Sequence, residues 1–274
     1  MRRTLLFLSL ILYLSATLQA QVTISPTSLF INAQQRFATL LILNGTNAAQ
    51  EISIEYLFGY PQTNNVGEIT MNYDDPEMAA RYSAAEWVRG FPKRFILQPG
   101  QRQVVRITVR PPRDLDDGVY WARVKTTSNS LVPDVGTAPP GGVTAQINFQ
   151  FEQITSLFYK QGETTTGLEI LDVWSEQDEK SVTLLAQVDR TGNSPFLGSF
   201  SAEVQDASGS VVKNHKVFVA IYQDGVQRLI LDTSDLPKGE YTADITFATI
   251  REDIPTQELV TSPPVSHVAG FTLN

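Results

Sequence analysis

Carboxylates and histidines are where chemistry would begin in this sequence. Acidic residues cluster at Asp74-Asp75, at Asp114, Asp116 and Asp117, and at Glu252-Asp253. Pairs of carboxylates at such spacing could serve glycoside hydrolysis or hold calcium. Each cluster, however, sits among turn residues of an acidic chain, where a solvated loop accounts for it, so no metal or other cofactor is expected. The two histidines, His215 and His267, have no second His or Cys at metal-ligand spacing and read as surface residues. No G-x-S-x-G elbow, phosphate-binding loop or G-x-G-x-x-G occurs. The inventory predicts a protein that is not an enzyme.

The strongest pattern is instead one of shape. Between residues 141 and 159 the chain alternates, with Val143, Ala145, Ile147, Phe149 and Phe151 on one side and Thr144, Gln146, Asn148, Gln150 and Glu152 on the other. Side chains of a strand point to opposite faces with period two, so this is one long strand with an apolar and a polar face. That apolar face meets either the chain's own core or another chain.

The elements around it are also strands. Segments 22–24, 28–31, 37–43, 52–57, 95–109 (two strands about Pro99-Gly100) and 118–124 precede the long strand. Segments 167–174, 181–188, 198–205, 211–220, 226–231, 239–247 and 265–273 follow it. Short strands punctuated by Pro and Gly predict an all-β protein of two immunoglobulin-like antiparallel β-sandwich domains. A Gly-x-Tyr opens a strand in each half, at Gly118–Tyr120 and Gly239–Tyr241, as in a tyrosine corner.

One stretch breaks the pattern: Asp75-Pro76-Glu77 opens a short helix inside a long connection, with Met78, Tyr82, Ala85 and Val88 on one face. It reads as a plug packed on the first sandwich. Residues 126–142, rich in Ser, Pro and Gly, read as a loop. Asn44-Gly45-Thr46 fits both a glycosylation sequon and a hairpin turn, and the turn is preferred.

Composition bounds the setting. Arg2 and Arg3, the apolar run 5–14 and Leu18-Gln19-Ala20 predict a signal peptide over residues 1–20, cleaved after Ala20. The run is too short to span a bilayer, and no integral membrane segment is expected after cleavage. Removing two of the 21 Lys+Arg leaves 19 against 29 Asp+Glu, a net charge of −10. An acidic exported chain is a poor partner for nucleic acid. With no cysteine, packed cores alone must hold the fold. The expected division is residues 21–161 and 162–274.

Several segments together resemble the PapD-like periplasmic pilus chaperones, which have two immunoglobulin-like domains. They are Val22-Thr23-Ile24-Ser25-Pro26, 38–44 (ATLLILN), 97–107 (LQPGQRQVVRI), 119–124 (VYWARV) and 147–159, ending Leu157-Phe158-Tyr159. The resemblance covers most of residues 21–160 and is weaker in the second half. It implies a periplasmic chaperone that caps an exported, β-rich, pilin-like subunit by β-augmentation, with an outer-membrane usher as a further partner. The donated side chains would be Ile147, Phe149 and Phe151, the same side that the periodicity singles out. Ser28 and Ser156 match positions where the family carries basic residues that anchor the subunit's terminal carboxylate. Neither can supply a charge. Lys160 matches a position in an inter-domain salt bridge, with Asp116 as its partner here. The alternative is a secreted structural or adhesive immunoglobulin-like protein whose long strand is an internal core strand.

Overall fold

A computed structural model of the chain describes residues 21–131 and 150–273. The expected signal peptide, residues 1–20, and the stretch containing Ile147 and Phe149 lie outside the described residues. Among the described residues, eleven strands form the first half: β1 (Val22–Ser25), β2 (Ser28–Asn32), β3 (Phe37–Asn44), β4 (Gln50–Leu57), β5 (Tyr60–Thr63), β6 (Ile69–Asn72), β7 (Val88–Phe91), β8 (Arg94–Leu97), β9 (Arg102–Val109), β10 (Gly118–Ser130) and β11 (Gln150–Gln161). One sheet has the order β1-β3-β9-β7 and the facing sheet β2-β11-β10-β4-β8. Alternation in β3 turns Leu40 and Ile42 inward and Leu41 and Leu43 outward. The inward pair meets Val105 and Ile107 of β9 and, from the other sheet, Ile52, Ile54, Ala122, Val124 and Leu157, all of them fully buried.

The chain changes sheets between β1 and β2 at Pro26, a residue that cannot donate to a ladder and so suits the switch. As a result β2 runs parallel to β11, a departure from the purely antiparallel arrangement that the sequence suggests.

The second half contains β12 (Thr166–Gln177), β13 (Ser181–Gly192), β14 (Phe196–Asp206), β15 (Val211–Ile221), β16 (Gly225–Asp232), β17 (Gly239–Ala248) and β18 (Val265–Leu273). Sheet β12-β13-β16 faces sheet β15-β14-β17-β18 over a core that includes Leu184, Val188, Phe196, Ile245 and the stacked pair Phe200 and Phe247, 4.3 Å apart. Both tyrosine corners are present: the Tyr120 hydroxyl donates to the Asp116 carbonyl at 3.1 Å and Tyr241 to the Pro237 carbonyl at 2.7 Å. Each fixes the loop that enters its strand.

Two expectations need correction. Residues 126–130 belong to β10 rather than to a loop, because Thr126, Thr127 and Ser128 are buried between β4 and β11 despite their polar side chains. The helix α1 (Pro76–Tyr82) forms as expected, with the Asp75 carboxylate accepting from the Met78 amide at 3.0 Å. Its supposed single face, however, divides. Val88 is fully buried in the first core and Ala85 packs against it, while Met78 and Tyr82 pack on a separate cluster facing the second half. A 3-10 turn at Ala85–Trp87 rotates the chain between them.

Asn44 is fully buried, its amide donating to the carbonyls of Ala48 (2.8 Å) and Leu97 (2.9 Å). The turn is therefore its role; a glycan on that nitrogen would displace both bonds.

Gly162 joins the sandwiches with φ +56°, and a Cβ there would fall within 1.6 Å of Asp117 Oδ1. Asp117 receives the Glu163 amide at 3.0 Å, and the Asn193 amide donates to the carbonyls of Asp117 (3.1 Å) and Glu163 (3.0 Å). Gly162→Ala combines left-handed backbone with a collision against this knot. We expect a loss of at least about 1 kcal/mol in equilibrium urea unfolding; an unchanged midpoint would show that the linker relaxes freely.

Candidate functional site: the edge of strand β11 and the cleft between the sandwiches

β11 is held on one side by β10 over twelve residue pairs, from Gly118 with Gln161 to Asn129 with Gln150. On its other side β2 accompanies only Ser156 to Lys160. Glu152–Thr155 therefore borders no described strand there, although the Gln153 side chain reaches the Val22 carbonyl at 2.8 Å. Among the described residues this stretch is a sheet edge, the kind of feature to which a strand of another chain can add.

Alternation sorts the side chains of β11. Thr155, Leu157 and Tyr159 point into the first core and are buried. Phe151 lies on the same side but beyond the end of that core, and is 48% exposed. Of the three residues proposed to be donated, Phe151 is the one described, and the chain's own sandwich does not bury it. The opposite side carries Glu152, Ile154, Ser156, Phe158 and Lys160. Ile154 is 41% exposed, and Glu152 lies 3.5 Å from Lys125, which also pairs with Glu55 at 3.0 Å.

Ser28 and Ser156 are direct neighbours across the β2–β11 pairing. The row continues through Arg123 of β10 to Leu57 of β4. Arg123 brings a positive charge into this row, and sequence reading missed it. The residue is 5% exposed; Nε donates to the Gly59 carbonyl at 2.9 Å, Nη1 to the Ser156 hydroxyl, and Nη2 to the Tyr222 hydroxyl of the second sandwich at 3.1 Å. It also lies over the Tyr222 ring, 5.3 Å from its centre. No carboxylate pairs with it among the described residues. Buried charges are ordinarily paired, so this cation, satisfied only by neutral acceptors, is unusual. The signal in the sequence was a single Arg inside VYWARV, a strand of which both faces are buried.

Around Arg123 lies an aromatic cluster. Trp121 stacks on Tyr82 (4.9 Å) and meets Tyr222 edge-on (4.8 Å), while Phe30 stacks on Phe158 (5.1 Å). The Trp121 indole nitrogen is buried without an acceptor among the described residues. Tyr60, fully buried here, donates its hydroxyl to Asp75. Burial first, and then the bond to Asp75 and its charge, push the Tyr60 hydroxyl up to about 12.

Lys160 and Asp116 are not brought together as an ion pair. The Lys160 ammonium donates to the Glu258 carbonyl, still an inter-domain bond, and burial lowers its pKa despite the nearby Glu258 charge. The Asp116 carbonyl serves the tyrosine corner.

No known protein-family profile matches this sequence, and no curated protein does. Similar solved structures include the YadV chaperone, 10% identical over 90% of this chain and 100% of that one, with a TM-score of 0.46. Another is the chaperone–tip subunit pre-assembly complex CsuC–CsuE of the Csu pili of Acinetobacter baumannii, 10% identical over 90% of this chain and 98% of that one, with a TM-score of 0.43. A third, the Salmonella enterica SafA pilin with the SafB chaperone, is 14% identical over 93% of this chain and 99% of that one, with a TM-score of 0.43.

Two outcomes follow from the cleft. Replacing Arg123 by Met strands the Gly59 carbonyl and the Ser156 and Tyr222 hydroxyls; at about 1–3 kcal/mol for each unsatisfied buried group, partly offset by removing a buried charge, the net loss should be about 2–4 kcal/mol in urea unfolding. A variant as stable as the parent would mean that those groups find water. For Tyr60, a folded pKa raised above the ordinary 10 means stability that is complete below pH 10 and lost as pH climbs towards about 12. Tyr60→Phe should flatten the fall in stability between those limits, and an unaltered alkaline unfolding curve would count against the shift.

Proposed function

We propose that this protein is a periplasmic chaperone that caps an exported, β-rich, pilin-like subunit by lending it the edge of β11. The observation that carries this reading is the exposed end of that strand: β2 stops at Ser156, and Phe151 projects beyond the core at 48% exposure. The resemblance of segments 97–107 and 147–159 to pilus chaperones supports the same use, and the inferred signal peptide supports the location. A subunit with an open groove would pair its backbone with β11 and receive Ile147, Phe149 and Phe151 at alternate positions. Each large apolar side chain so buried contributes about 1.5–3 kcal/mol before the costs of association are subtracted.

In this reading the subunit's terminal carboxylate is held at the Ser28–Ser156 pair, with Arg123 beneath Ser156 as the positive charge. Arg123 hydrogen-bonds Ser156 from the adjacent strand, so a hydroxyl polarised by a guanidinium takes the place of a directly presented cation. The reaction is binding, and none of the residues assigned here is given a bond-making role. An usher would receive the loaded complex.

The test is co-expression with an exported pilin-like subunit encoded beside this gene. The parent protein should recover that subunit as a soluble complex. Phe151→Asp, at an already exposed site, should fold with unchanged circular dichroism and recover at least about tenfold less, as the loss of one buried Phe implies. Equal recovery would exclude Phe151 from the contact.

A further inference from the structure

The outer face of the opposite sheet carries a second surface with distinct chemistry. The chain has 29 Asp+Glu against 21 Lys+Arg, yet β1, β3, β7 and β9 contain no carboxylate at all. Their outward side chains include Arg89, Arg102 and Arg106, and Arg36, Arg110 and Arg113 border the same end; all six are exposed. None of them forms an ion pair among the described residues. Between the arginines stand Phe37 (39% exposed), Val104 (51%) and Phe91 (81%). Arg106 lies over the Phe37 ring at 4.3 Å and flanks Phe91 across the β7–β9 pairing. Below them an open depression of about 620 Å³ is lined by Arg36, Phe37, Arg106, Arg110, Arg113 and Tyr159 among others, with no Asp or Glu in its wall.

We propose that this face docks an acidic protein segment in extended form, with carboxylates on the arginines and apolar side chains on Phe37, Val104 and Phe91. Charge complementarity selects this occupant. Along β9, Arg102, Val104 and Arg106 present cation, apolar and cation at a spacing of two residues, about 7 Å per step, which an extended peptide matches side chain for side chain. A large polyanion such as a membrane or nucleic acid meets the field of the whole acidic molecule. A short segment meets mainly charges within the ~8 Å over which salt leaves them unscreened. Exposed Arg beside aromatic rings is also the composition enriched at protein contacts. The depression reaches β11 only at Tyr159 and Gln161, at the opposite end of that strand from Glu152–Thr155, so this face can be occupied while the other end of β11 is engaged.

The probe is a labelled peptide alternating Glu with Phe or Leu, followed by fluorescence anisotropy on the full exported chain. Binding should appear at low salt and weaken at high salt. The paired reversal Arg106→Glu with Arg110→Glu should weaken it at least about tenfold, whereas Lys180→Glu with Lys238→Glu, an equal charge change on exposed turns of the second sandwich, should alter it less than about twofold. Phe91→Ser, at the most exposed apolar position, should weaken binding without changing the salt slope. Equal affinity for the matching Lys peptide, indifference to the Arg106/Arg110 reversal, capture of anionic vesicles or inorganic phosphate in preference to the peptide, or self-association through this face in sedimentation would each overturn the proposal.

Discussion

The ladder between β10 and β11 is the constraint on which the rest depends. Twelve residue pairs fix the register, and because side chains alternate, that register decides which groups enter the first core and which enter the cleft. Tyr120, Ala122 and Val124 of β10 go inward with Leu157 and Tyr159 of β11, while Trp121, Arg123 and Phe158 go outward to meet the second sandwich. A slip of one residue would place a guanidinium in the hydrocarbon core and an alanine in the cleft. The same ladder holds β11 firmly on one side, while on the other no described strand borders Glu152–Thr155. A strand offered to another chain must be held in this way if it is not to pay its own ordering entropy on binding.

Much of this arrangement is legible in the sequence. Alternation finds β4 and the start of β11, while β3 is found as an apolar run and β8 and β9 as two strands about the Pro99-Gly100 turn. The Gly-x-Tyr pattern finds both corners because the motif is local. The hairpin of β5 and β6 escapes detection: ITMN is mostly exposed and YPQT fully buries only Tyr60, and these strands meet the second sandwich rather than follow a hydrophobic period. The end of β10 escapes for the opposite reason, since Thr126, Thr127 and Ser128 look like loop residues but are enclosed on both faces.

The candidate site is legible in part. Period two marks the apolar side of the long strand, and the structure leaves Phe151 exposed there. What the sequence could not show is the buried positive charge that stands beside Ser156. Arg123 is 33 residues from Ser156 and 99 from Tyr222 along the chain, and only the sheet register brings the three together. Sequence spacing alone passes over a group that reaches Ser156 from the neighbouring strand.

The hairpin of β5 and β6 has a further consequence. Gly67 at its tip, with φ +70°, sits against the Cβ of Arg228, whose guanidinium meets Glu68 at 3.6 Å, and Thr63 closes on Gly225. A piece of the first sandwich thus braces the second at a point well away from the linker, as a diagonal strut stiffens a hinged frame. With a brace, a tether at Gly162 and the aromatic cluster between them, bending the two halves requires breaking packed contacts rather than swinging about one peptide. The angle between the halves is thus held by packed contacts at several places rather than by the linker alone.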